Sequence, residues 1–352
     1  MPKRLTVALV AVLAVALVAA AAVVGVRWWR DAHRTTFEQA TAYAPADAER
    51  LSWTDWAAVR SKVGADLDAD SSAADLRTFL DQGYDADLTS ASALVESAPV
   101  LQTHFGFSPA SATWELFSQG KAGAVVFIKM PDGTDYDAIA DRLRDDGFDE
   151  PSSEDGVWDG VSALPSIGSD LTPELQFVAL DRDDGMVITS DTGPYLTKIV
   201  SGLGDGDLPD PVQGVISGSG EPLSAAVYDG DYTCSALAMS QADSDDQATA
   251  DRLIAEAGKV NPVAGFAMSV QPGGHVRVVL AFENADQART NADSRAQLAS
   301  GPAPGQGGDF SDRFSVGSAT ADGDLVTLDL EPHPDNYVFS DLSSGPLLFA
   351  TC

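Results

Sequence analysis

The chain has 352 residues, enough for about two domains of ordinary size. Its 53 Asp and Glu against 21 Lys and Arg give a net charge of −32, a field that repels phosphate backbones and excludes DNA or RNA as a partner. The same field attracts divalent cations or basic partners, and a 44% hydrophobic composition supports packed cores rather than wholesale disorder.

The first feature along the chain is the uninterrupted apolar run Leu5 to Val26, with Thr6 its only polar side chain. As a helix it reaches roughly 33 Å, enough to cross the hydrocarbon layer. Trp28 and Trp29 follow between Arg27 and Arg30, a flank suited to the head-group region. Residues 1–34 are therefore expected to be a transmembrane signal anchor whose partner, through residues 5–26, is the lipid bilayer. The rival is a cleaved signal peptide: Lys3-Arg4 is a basic start and Ala19 to Ala22 offers A-x-A sites, but the run is long for that role. Arginines on both flanks leave the orientation undecided by charge. A four-residue tail most easily stays inside, which places the bulk of the chain outside the cytoplasm at the cell membrane.

Beyond the anchor, Thr35–Ala44 reads as a short helix stopped by Pro45, and Arg50–Trp53 as a strand. Thr54 is placed to cap a helix over Asp55–Val63, closed by Gly64. Helices are expected over Ser72–Gln82 and Thr89–His104, the second broken by Pro99. Thr113–Ser118 and Ala122–Met130 read as a strand pair, Tyr136–Asp146 as an amphipathic helix. Gln176–Leu180 and Met186–Ser190 flank an acidic hairpin turn, before a helix at Pro194–Gly202. After the Gly-, Asp- and Pro-rich stretch Ser201–Pro211 the grammar returns. Leu223–Tyr228 is a strand and Gln247–Gly258 a helix. Val263–Val270 and His275–Phe282 are paired strands, and Asn284–Ser300 is an Ala-rich helix. Asp324–Leu330 is a late strand, and Pro346–Ala350 a strand-like end.

The expected class is α+β: antiparallel sheets with helices packed on one face, in a first domain 35–203, a linker 204–211 and a second domain 212–352. Hairpin, acidic turn and helix recur at Val125–Asp146, Phe177–Gly202 and Val276–Ser300. That recurrence reads either as a diverged duplication giving two related halves or as ordinary α+β construction.

Chemistry-bearing motifs are sparse. The four histidines, His33, His104, His275 and His333, form no H-E-x-x-H. Ser217-Gly218-Ser219-Gly220 misses the G-x-S-x-G elbow, and Gly202-x-Gly204-x-Gly206 lacks a P-loop lysine. Asp66, Asp68 and Asp70 imitate the start of a calcium loop. Ser71 stands where Gly is needed, however, and Arg77 where the bidentate Glu should be. The acid clusters Asp181/Asp183/Asp184, Asp205/Asp207/Asp210, Asp243/Asp245/Asp246 and Asp322/Asp324 read as turns and caps, with calcium the alternative. Trp53 and Trp56 should pack on a core or on the membrane-proximal face. No catalytic residue, cofactor or metal site is assigned.

Cys234 and Cys352 are the only cysteines, and neither sits in a zinc-type cluster. No cysteine follows the hydrophobic run, so a lipid-modified cysteine anchor is excluded. In an oxidising compartment the two should form a disulfide that staples the C-terminus to the start of the second domain; in a reducing one they would be buried thiols.

The segment Thr35 to Arg60, with TFEQATAYAPADAERLSWTDWAAVR, resembles uncharacterised signal-anchored extracytoplasmic proteins of actinobacterial cell envelopes. The resemblance implies no activity and no site residues. The expected function is a non-enzymatic binding or assembly module at the envelope, partnered by another envelope protein or a basic ligand; the alternative is an envelope hydrolase with a dispersed catalytic site.

Overall fold

The structure, a computed structural model, describes residues 34–169, 171–204 and 207–352. The apolar run expected to be the anchor, together with His33, lies outside them. Among the described residues no helix is long and apolar enough to cross a membrane.

The chain opens with helix α1 (Thr36–Thr41), started by a reciprocal capping box between Thr35 and Glu38. Strand β1 (Ala48–Thr54) follows, then α2 (Trp56–Val63) and α3 (Ala73–Asp85). Asp55, not Thr54, caps α2, because Thr54 is still within the strand. Next come the hairpin β2 (Trp114–Gly120) and β3 (Gly123–Lys129), helix α4 (Tyr136–Asp145) and the short β4 (Val157–Asp159). The hairpin β5 (Phe177–Asp181) and β6 (Met186–Ser190) leads into α5 (Gly193–Ser201) and α6 (Asp210–Ser219). The second part has β7 (Ser224–Asp229), α7 (Ser244–Ala257), the hairpin β8 (Gly265–Val270) and β9 (Val276–Ala281), and α8 (Ala285–Leu298). It ends with the hairpin β10 (Phe314–Asp322) and β11 (Leu325–Pro332), then α9 (Val338–Leu342).

Among the described residues these strands form one 11-stranded antiparallel sheet in the order β10-β11-β9-β8-β7-β1-β2-β3-β6-β5-β4. The segments 35–203 and 212–352 thus contribute to the same sheet, joined where β1 pairs antiparallel with β7 around Ser52 and Ala226. Outward from that seam each half has the same topology. The first three strands lie in sequence order, then the last strand of the following hairpin, then its first. The strand β4 lies outside this shared order, at one edge of the sheet.

Helices cover both faces of the sheet, which corrects the expectation of one covered face. On one side, α2, α3, α4, α7, α8 and α9 close over Val126, Ile128, Phe266, Met268, Val278 and Leu280. On the other, α1, α5 and α6 close over Trp53, Leu116, Phe127, Ile188, Val227 and Val279. The physical cause lies in strands such as β3 and β9, apolar on successive residues rather than on alternate ones, so both of their faces need covering. The two tryptophans illustrate it. Trp53 packs with Phe37 and Trp114 on the smaller helix layer. Trp56 packs edge-on to Phe79 on the larger one. Both are buried.

Three other expectations change. Residues 89–97 are not helical; only Ala98–Val100 and a π-helical turn at Leu101–Phe105 follow, with Pro99 at the start of the short helix. The C-terminal Leu348–Ala350 is a 3-10 turn, not a strand. Helix α6 was hidden by its Gly and Ser content. Gly214 and Gly218 lie one turn apart on the face that meets the sheet, and a Cβ on Gly218 would sit 2.8 Å from Val279 Cγ1. The glycines let α6 lie close on β7, β8 and β9 and outweigh their poor helix propensity.

Side-chain caps start α1, α2, α3, α4, α7 and α8. Asn284 Oδ1 accepts from the amides of Asp286 and Gln287 at 3.1 and 3.0 Å at the start of α8. Replacing Asn284 by Ala should lower the unfolding free energy by about 1 kcal/mol in a chemical melt, with no change in far-UV helix content.

Candidate functional site

One concavity is an open groove of about 780 Å³ between α1, α6 and the residues Gly204, Asp207 and Leu208. It lies on the smaller helix layer, and Arg34 is at its rim, where the described chain begins. Its wall comes from residues that local structure already fixes. Glu38, oriented by the α1 capping box, accepts from Thr35 N at 2.8 Å and from the Ser217 hydroxyl at 2.6 Å. Gln213 on α6 donates to Asp207 Oδ1 at 2.8 Å and to Leu208 O at 2.6 Å. Asp210, Ile216 and Leu325 complete a surface part carboxylate, part apolar. Such a lining suits a basic or amphipathic cationic ligand. Among the described residues that line the groove there is no histidine. Of the expected linker 204–211, Gly204, Asp207 and Leu208 line this groove, and Asp210-Pro211 already belongs to α6.

The second constellation is a clasp at the C-terminus. Cys234 and Cys352 form a disulfide with Cα atoms 5.6 Å apart, closing 118 residues of chain. Cys234 sits in the π-helical turn Thr233–Leu237 after β7, and Leu347 N donates to Leu237 O at 2.8 Å. From α8, the buried Arg295 reaches the same tail. Its guanidinium donates to Phe349 O at 3.1 Å, to Thr351 O at 2.6 Å and to Asn261 O, beside the Phe282 ring. Burial without a carboxylate partner pushes this arginine down to about 9. Leu347, Leu348, Phe349 and Ala350 are each at most 1% exposed, so the chain end is part of the core.

The third is Glu115, a fully buried carboxylate on β2 facing the larger helix layer. Oε2 accepts from the Trp56 indole and the Ser92 hydroxyl, each at 2.8 Å, and Oε1 from Ala93 N at 2.7 Å. Burial pushes it up to about 7, more than its hydrogen bonds pull it down. By capturing Ser92 and Ala93 it fixes the non-helical path of residues 89–97. Nearby Asp87, at φ +59, aims its carboxylate across the seam and accepts from Phe339 N at 2.7 Å and Ser340 N at 2.9 Å at the start of α9. Burial raises it to about 6. The sequence signal for Glu115 is an acid inside an apolar strand, WELF; Asp87 carries no comparable signal.

The remaining candidates are structural members. His104 pairs with Asp146 at 3.0 Å. His275 lies 3.8 Å from Asp329, which also holds Arg277 at 2.9 Å. His333 faces Asp312 O at 3.3 Å. Ser217 bonds Glu38, and Ser219 bonds back to Val215 O at 2.8 Å within its helix. Asp68 closes its own turn through Asp70 N and the Ser71 hydroxyl, while Gln102 ties down the Ala69 and Ser71 carbonyls. Asp181 closes a hairpin turn through Asp184 N, and Asp243 caps α7. Among the described residues no group of three His, Cys, Asp or Glu is arranged to hold a metal ion.

No protein-family model matches the chain, and no curated protein matches it. Among solved structures, crystal form I of TP0453 is similar over 88% of this chain and 98% of that one, at 9% identity and a TM-score of 0.43. Crystal form III of the same protein covers 86% of this chain and 97% of its own, at 9% identity and 0.39.

Proposed function

We propose that this chain is a membrane-tethered extracytoplasmic protein that binds a ligand or partner at the cell envelope rather than catalysing a reaction. The observation that carries this reading is the Cys234–Cys352 disulfide, which locks a buried chain end to the sheet and suits an oxidising compartment. The apolar run Leu5–Val26 supplies the tether to the bilayer. From Val26 to Arg34 the chain spans at most about 28 Å, so the groove lies near the membrane surface in the tethered protein. Its Glu38, Asp207 and Asp210 favour a basic ligand or a basic segment of another envelope protein.

Topology and process are tested together. A C-terminal reporter active only outside the cytoplasm should be active, and protease added to spheroplasts should cleave the domain. Protection from protease would overturn the orientation, and a mature N-terminus near Ala22 would overturn the tether. Proximity labelling from the C-terminus in the native cell should then mark envelope proteins; cytoplasmic proteins alone would refute the reading.

A further inference from the structure

The two edges of the sheet are built differently. At one end β4 is three residues long, and its outward groups at Asp159 are taken up by Asp149, through bonds of 2.8 and 3.1 Å. At the other end β10 runs nine residues, Phe314–Asp322, and beyond β11 its backbone has no backbone partner among the described residues. In this strongly acidic chain, 314–321 reads FSVGSATA, without a charge, a lysine or a proline. These are the devices that normally blunt an exposed edge. A bulge at Gly317 is the one irregularity, and from Ser318 to Asp322 the register with Asp329 to Leu325 is unbroken.

The tight turn at Gly323-Asp324 fixes which groups face outward. A two-residue hairpin closes on a hydrogen-bonded pair, here Asp322 and Leu325. Alternation then turns Ser318, Thr320 and Asp322 toward β11 and leaves the N–H and C=O of Ala319 and Ala321 pointing out. The side chains of Ala319 and Ala321 pack toward the core on the larger helix layer. The opposite face carries Ser318, Thr320 and Asp322, across from Asp329, Thr327 and Leu325.

We propose that the β10 edge is a docking site for an extended segment of another polypeptide, which adds a twelfth strand along Ser318–Asp322 through the outward groups of Ala319 and Ala321. Its side chains alternate, apolar ones continuing the alanine face and a basic one meeting Asp322. A second copy of this chain is a poor occupant. Each copy carries −32, a net charge that opposes the close approach of two copies. This edge is separate from the groove and does not depend on it.

The test uses the full chain in detergent and a fluorescent peptide alternating valine with lysine, read by anisotropy. A peptide of the same charge, N-methylated on alternate amides, separates strand addition from general attraction to an acidic surface. The lysine peptide should bind saturably. The N-methylated peptide should bind about tenfold more weakly or worse, as expected for two lost hydrogen bonds. Ala321→Pro, which removes an outward N–H and leaves the β11 ladder intact, should weaken the lysine peptide to the same extent at unchanged circular dichroism. Asp322→Lys should shift preference to a peptide with glutamate in place of lysine. Equal binding of the methylated and unmethylated peptides, or no saturable binding at millimolar peptide, would overturn the proposal. So would a concentration-dependent dimer that Ala321→Pro abolishes, which would assign the edge to a second copy. If Ala321→Pro does not fold, the methylated peptide decides alone.

Discussion

Reduction of the Cys234–Cys352 disulfide is expected to lower the unfolding free energy by about 5 kcal/mol, the loop-closure entropy of 118 residues of chain. That is a large share of an ordinary domain's stability. The loss should exceed the effect of most single core substitutions, because the bridge also holds Leu347–Ala350 in the core and keeps the Phe349 and Thr351 carbonyls on Arg295. With the tail released, Arg295 would keep Asn261 O as a partner and lose the others, a costly state for a buried guanidinium. Guanidinium chloride melts with and without reductant measure the effect. Cys352→Ser should match the reduced protein and be insensitive to reductant. A difference below about 1 kcal/mol would show that packing of the tail alone holds the C-terminus.

The second large effect is a dependence of stability on pH that runs opposite to the usual carboxylate case. Glu115 rises from 4.5 to about 7 on folding because burial disfavours its charge. Across that window the folded protein holds a proton that the unfolded chain has released. Glu115's contribution is therefore fully present below about pH 4.5 and is lost as pH rises to about 7. The full span corresponds to about 3 kcal/mol for a fully buried group. Asp87, raised to about 6 by burial, acts with the same sign over a lower and narrower window. Chemical melts from pH 5 to 8 should thus show falling stability with rising pH. Glu115→Gln should flatten the upper part of the curve and leave the slope that ends near pH 6. Below about pH 4.5 the variant should cost about 1–3 kcal/mol, since an amide offers one acceptor where Trp56, Ser92 and Ala93 supply three donors, and its deficit against the wild type should shrink as pH rises to about 7. A curve unchanged by the substitution would place the titrating group elsewhere.

How much of this was legible beforehand divides along a physical line. Elements governed by local signals were readable. Asp135 and Asn284 cap α4 and α8, the turn before Gly185 joins β5 to β6, and Tyr136, Ile139, Ala140 and Leu143 recur at helical spacing. Each depends on neighbours within a few residues. The disulfide was readable by elimination, because only two cysteines exist. What escaped depends on partners far along the chain. Residues 89–97 have the composition of a helix and are not one, because Glu115, more than twenty residues later, takes Ser92 and Ala93. Helix α6 has the composition of a linker and is a helix, because Gly218 and Gly214 let it pack closely on Val279 and Leu325. Strand β10 lacks an apolar pattern because it is an edge, half-exposed along most of its length, and only its pairing with β11 defines it. The seam between β1 and β7 joins residues 170 or more positions apart in one sheet, and the second helix layer covers the face that this shared sheet exposes. The sequence by itself determined the class, most of the strands and helices, the charge and the cysteine pair. Only the tertiary structure decided how many sheets there are, which faces are covered, and which strand edge and groove are left open. Those outcomes depend on which buried surfaces meet, and no window of neighbouring residues contains that information.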